Sequence, residues 1–138
     1  MNDKEFIAFA MTLIGKPFAS NGYGPDSFDC LGLSCFLAWQ RGYRVAAFEN
    51  YSCGTPEAWI RLAMELPDYL DEIKREELRT GDIIEIKAGM RLHLGTYLEY
   101  GRFIHADRPG VAVGNIRQRP YDQLIKRSFR IKETLRRA

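Results

Sequence analysis

Residues 28–39 read Phe-Asp-Cys-Leu-Gly-Leu-Ser-Cys-Phe-Leu-Ala-Trp, and the rest of the chain is best read outward from them. Asp29 is a residue type that caps a helix by accepting backbone N–H bonds. From Cys30 to about Trp39 the positions are apolar on nearly all sides, which predicts a helix buried all round. Gly42 is its C-cap. Cys30 then lies at a helix N-terminus, where the macrodipole and free backbone amides favour a thiolate nucleophile. The alternative is a buried structural thiol, the commoner state of a cysteine. Cys35, among Phe36, Leu37 and Ala38, reads as core, and Cys53 as an incidental loop residue.

On the N-terminal side, Phe6, Ile7, Ala10, Met11 and Ile14 fall at helical spacing over 3–14, and Gly15 and Pro17 stop that helix. Residues 19–28 are rich in Gly, Ser, Asn and Pro and form an irregular loop. On the C-terminal side, 43–55 read as loop. Thr55-Pro56 opens a short helix that runs to about Leu66 and ends at Pro67. Residues 68–79 are charged and wrap the surface, with room for another short helix. After Thr80-Gly81-Asp82 the period changes to two. Strands are expected around 83–86, 92–99, 102–106, 111–115 and 128–133, with a turn at Tyr100-Gly101. Helices first and strands second predict an α+β fold with an antiparallel sheet.

The 138 residues suit a single domain, 1–138, with its own core. A net charge of +2 does not by itself point to nucleic acid. The basic residues gather in the tail, at Lys126, Arg127, Arg130, Lys132, Arg136 and Arg137. Such a run is a solvated face or a site for an acidic partner, and no specific nucleic acid is expected. Three cysteines without paired spacing predict no disulfide framework. The longest apolar runs fall short of a membrane span, and the N-terminus lacks a signal-peptide core. The expectation is synthesis in the cytoplasm, with action elsewhere requiring a delivery route.

The chain has two histidines, His93 and His105, on adjacent expected strands. A neutral imidazole is the usual base for a thiol and needs a third group to fix its tautomer. His93 as base and His105 as orienter fit that need; two separate polar residues on a sheet are the alternative. A two-residue turn at Tyr100-Gly101 would pair His105 with Thr96 and put the rings on opposite faces. A three-residue turn with Gly101 left-handed, or a one-residue bulge, would pair His105 with Tyr97 and put them on one face. One Cys and two His also number three metal ligands, but the paired short spacing of a zinc site is missing, so no metal and no cofactor are expected. Gly22-Tyr23-Gly24-Pro25 does not follow a strand and is not a phosphate loop.

Taken in order, Gly15-Lys16-Pro17-Phe18, Asn21-Gly22, Phe28-Asp29-Cys30-Leu31-Gly32-Leu33, Gly81-Asp82-Ile83-Ile84, His93-Leu94-Gly95-Thr96-Tyr97-Leu98 and Phe103-Ile104-His105-Ala106 resemble the NlpC/p60 cysteine peptidases. The likeness covers roughly residues 5–116. It implies a papain-like fold, with N-terminal helices packed on a central antiparallel sheet. It also implies hydrolysis of amide bonds in bacterial cell-wall peptides by Cys30, His93 and His105, with the oxyanion held by backbone amides including that of Cys30. Asp29, Phe18, Tyr23 and Leu31 are the candidate residues around the substrate. Many cell-wall members have Ser where this chain has Leu31 and Tyr where it has Phe18. The Cys-x-Gly-Leu pattern looks more like the branch found in phage tails and gene transfer agents, which implies tail or secretion-machine partners. An exported wall hydrolase, an acyltransferase and a non-catalytic adaptor are the other readings. The segment 43–79 is long beside the family it resembles and is a candidate for shaping a substrate groove.

Overall fold

The computed structural model describes residues 1–44, 56–89 and 91–137. Helix α1 (Asp3–Met11) is followed by α2 (Cys30–Gln40), α3 (Pro56–Tyr69) and the strands β1 (Leu70–Ile73), β2 (Ile83–Ala88), β3 (Arg91–Tyr97), β4 (Arg102–Ala106) and β5 (Val111–Asn115). A one-turn helix α4 (Tyr121–Leu124) leads into β6 (Ile125–Ile131). The strands form one antiparallel sheet in the order β1-β6-β2-β3-β4-β5. The α+β expectation holds. Cys53, the Thr55 cap and most of the 43–55 loop lie outside the described residues.

Helix α2 is enclosed because both of its sides have partners. Leu31, Cys35 and Ala38 pack with Leu66 of α3 and with Ile83, Leu94 and Phe129 of the sheet. Leu33 and Leu37 pack with Phe6 and Ala10 of α1 and with Ile104 and Val111 of the sheet. The other sheet face carries Ile84, Ile86, Tyr97 and Phe103, covered by Ile116, Tyr121 and Leu124. At the end of α2, Gly42 takes φ 95°, and its N–H donates to the Trp39 carbonyl. That left-handed conformation suits glycine.

Several expectations are corrected. Pro67 lies inside α3 and does not end it. Leu66 and Leu70, on either side of it, both anchor in the α2 core, and their burial holds the helix end despite the lost N–H bond. The segment 68–79 is not all surface wrap: Leu70–Ile73 is an edge strand paired with β6. The last strand starts at Ile125 and lies between β1 and β2.

Five residues of the basic tail, Arg127, Arg130, Lys132, Arg136 and Arg137, are partnered within the chain. Arg127 grips the buried Glu85 through two bonds of 2.6 and 3.2 Å. Arg130 holds the buried Asp82 at 3.1 and 2.9 Å. Lys132 pairs with Asp71 and Arg136 with Glu133, and Arg137 stacks on Trp39 at 3.7 Å. Buried carboxylates need such pairing, so Arg127 and Arg130 fasten β6 to its neighbour.

Gly32 meets the carbonyl of Gly22 so closely that an added Cβ would overlap that oxygen. Helix propensity alone predicts that Gly32→Ala gains about 1 kcal/mol. The overlap predicts the reverse, a loss of at least about 2 kcal/mol in denaturant unfolding.

Candidate active site

The approach to Cys30 is built by its predecessor. Asp29 is fully buried, with its backbone extended. Its Oδ1 accepts the Gly32 N–H at 2.6 Å and its Oδ2 accepts the Asn21 N–H at 2.9 Å. Its own N–H donates to the Gly22 carbonyl at 2.9 Å. One carboxylate thus caps α2 and ties the 19–24 loop across the helix start. Asn21 has φ 61° where the loop reverses. Cys30 follows as the first residue of α2, 4% exposed, in the cluster that contains Leu94.

The histidines come from the hairpin. Arg102 N–H donates to the Glu99 carbonyl and Leu98 N–H to the Arg102 carbonyl, so the connection is Glu99-Tyr100-Gly101. Tyr100 and Gly101 both have positive φ, 52° and 81°. The turn is odd in length, as a shared face requires, but it centres one residue earlier than the expected form. Thr96 pairs with Ile104, and Tyr97 with Phe103 rather than with His105. A shift of two preserves parity, so His93, Gly95, Tyr97, Phe103 and His105 share a face. The Gly101 N–H donates to the Tyr97 hydroxyl at 2.9 Å and fixes this form of the turn. Continuing the register sets His105 beside Gly95 and diagonal to His93. With no side chain at Gly95, the rings meet: His93 Nε2 lies 2.7 Å from His105 Nδ1.

His105 sits deep in this arrangement. The Phe103 ring lies tilted against it at 5.0 Å, and the Tyr121 ring stands edge-on at 5.6 Å. The Tyr121 hydroxyl is 3.5 Å from His105 Nε2. Burial first, and then the charge of His93, push His105 down to about 4, while Asp107 opposes the shift. At neutral pH His105 is uncharged, and its Nδ1 can accept a hydrogen bond from His93 Nε2–H. Sequence reading missed Tyr121. It stands 16 residues from His105 on a one-turn helix after Pro120, and no periodicity marks it.

The other candidates are placed as follows. Leu31 is 2% exposed in the α2 core, and Asp29 has both carboxylate oxygens occupied by backbone donors. Phe18 and Tyr23 are half-buried, and each forms a β-bridge with Phe28, two residues before Cys30. Arg108 lies over the Phe18 ring at 5.0 Å. The structure thus joins His93 to His105 directly and sets Cys30 on the helix packed against β3. Among the described residues, no group of three or more His, Cys, Asp or Glu is arranged to hold a metal.

Comparison with known proteins agrees with this architecture. The NlpC/P60 family matches residues 15–130. A probable endopeptidase of Haemophilus influenzae is 26% identical over 110 residues, which are 78% of this chain and 60% of that protein. An NLP/P60-family protein of Staphylococcus aureus, similar to lipoprotein, has a crystal structure that aligns with a TM-score of 0.62 at 26% identity, over 94% of this chain and 41% of that one. RipD of Mycobacterium tuberculosis, a non-catalytic NlpC/p60 domain protein adapted to peptidoglycan binding, aligns with a TM-score of 0.62 at 16% identity over 96% and 98% of the two chains, a likeness of fold. The chain spans 60% of the Haemophilus protein's length. By the extent of the family match, carried on the fold described above, this chain belongs to the NlpC/P60 family.

Proposed function

We propose that the domain is a cysteine endopeptidase that hydrolyses amide bonds in bacterial cell-wall peptides, with Cys30 as nucleophile, His93 as base and His105 as the positioning residue. The observation that carries this reading is the 2.7 Å contact between His93 Nε2 and His105 Nδ1. A hydrogen-bonded imidazole pair needs one donor and one acceptor. A neutral His105 accepts from His93 Nε2–H, and proton exchange with the thiol then falls to His93 Nδ1. The same His105 directs its Nε2–H toward the Tyr121 hydroxyl. When His93 takes the thiol proton, the imidazolium still donates to His105, and its orientation is unchanged.

In this reading the Cys30 thiolate adds to the peptide carbonyl, and the negative oxygen is met by the Cys30 backbone N–H at the start of α2. His93 returns its proton to the leaving amine as the C–N bond breaks. Water, with its proton taken by His93, then releases the acyl group from sulfur. Phe18 and Tyr23, held to Phe28 by backbone bridges, flank the substrate near its point of attack.

Digestion of purified peptidoglycan, read by mass spectrometry, tests the assignment. The parent is expected to release fragments that differ by one hydrolysed amide, and Cys30→Ala to release none. If the parent binds the wall yet neither protein cuts it, the chain is a wall-binding member and the proposal falls.

The positioning role predicts that His105→Ala loses about 10²-fold or more in kcat, with KM little changed. The depressed His105 also gives a signed stability prediction. Between pH 6.5 and about 4 the unfolded chain takes up a proton that folded His105 refuses, so stability rises with pH across that window. Denaturant unfolding of the parent should therefore lose up to about 3 kcal/mol more between pH 7 and pH 4 than that of His105→Asn. Equal slopes would assign the acid sensitivity to other groups.

A further inference from the structure

A cavity of about 190 Å³ lies between the second half of α2 and strands β2, β3 and β6, with Ser34, Arg41, Arg79, Asp82, Thr96 and Arg130 in its wall. Cys30 does not line it, and Ser34 is one helical turn further along α2. We propose that this cavity is a binding site for a small oxyanion, a carboxylate or a phosphate, separate from the Cys30 site.

Two wall groups are buried without a hydrogen-bond partner among the described residues, the Thr96 hydroxyl and Arg41 Nη1. Buried polar groups are nearly always paired, and Thr96 is only 2% exposed. Arg41 is not loose: its Nη2 bonds to Asp3 at 2.8 Å, and its guanidinium lies 4.7 Å over the Phe6 ring. That grip leaves Nη1 fixed at the cavity wall. The site therefore offers one immobilised cationic donor and one hydroxyl, a pair suited to an acceptor-rich ligand.

The charge balance favours an anion. The acids lining the cavity are already paired, Asp82 with Arg130 of the same wall and Glu133 with Arg136. Arg79, exposed at the wall, has no ion pair among the described residues. Arg41 pairs only with the largely exposed Asp3, so much of its charge acts inward. The volume exceeds the roughly 150 Å³ that accommodates a benzene ring, which allows acetate, phosphate or an amino-acid-sized ligand.

The test is a titration of the whole chain with inorganic phosphate and with acetate at constant ionic strength, followed by amide NMR shifts and thermal unfolding. The expected result is saturable shifts at Gly81 and Thr96 with a Kd below about 10 mM for at least one anion, and the anion that saturates names the source. Thr96→Val should weaken binding about ten-fold while unfolding, without anion, no lower than the parent. Arg79→Gln, at an exposed position that leaves the fold intact, should weaken it similarly. No saturable shift with either anion overturns the proposal, as do parent-like affinities in the variants that fold.

Discussion

The buried carboxylate of Asp29 joins two parts of the chain that carry no strong structure of their own together. It accepts one N–H from the first turn of α2 and another from the 19–24 loop, while its own backbone N–H donates back to that loop at Gly22. A negative charge at a helix N-terminus is favoured by the macrodipole, and full burial strengthens both bonds. The bare Cα of Gly32 lets the Gly22 carbonyl sit against the helix. Cys30 is the next residue after Asp29, so its place at the helix start follows from this knot. The bridges that bring Phe18 and Tyr23 to Phe28 belong to the same loop.

The histidine pair depends on a different constraint, the parity of one hairpin. Two left-handed residues, Tyr100 and Gly101, close the turn so that three residues separate the paired strand ends. Any even connection would send the two imidazoles to opposite faces of the sheet. Burial against Phe103 and Tyr121 then does two things at once. It holds the His105 ring in place, and it keeps that ring neutral at neutral pH, when its Nδ1 can accept a hydrogen bond from His93. A dry and crowded setting thus favours the second histidine as a neutral acceptor over a second cation.

Local signals in the sequence carried much of this. Asp29 as a cap, the all-round apolar pattern of α2 and the left-handed Gly42 follow from one helix and its ends. The odd turn was legible as a requirement, yet its centre was displaced by one residue, because the choice between neighbouring turn forms rests on the Tyr97 hydroxyl across the strand. What escaped was non-local. β1 pairs with a strand more than 50 residues away, and its sequence Leu-Asp-Glu-Ile gives little alternation to read. Pro67 stays helical because Leu66 and Leu70 are buried on either side of it. Tyr121 reaches His105 only after the chain has passed through β5 and turned back. The basic tail shows its function only once Glu85 and Asp82 are known to be buried opposite it.

The account depends most on Cys30 and His93 acting as one unit. The direct measurement is the rate of Cys30 alkylation by iodoacetamide at pH 7, read by peptide mass spectrometry in the parent and in His93→Ala, with the buried Cys35 as internal reference. The account predicts that Cys30 in the parent reacts at least about ten-fold faster than Cys30 in His93→Ala, and faster than Cys35 in either protein. Equal Cys30 rates in the two proteins would mean that His93 does not activate the thiol, and would contradict it.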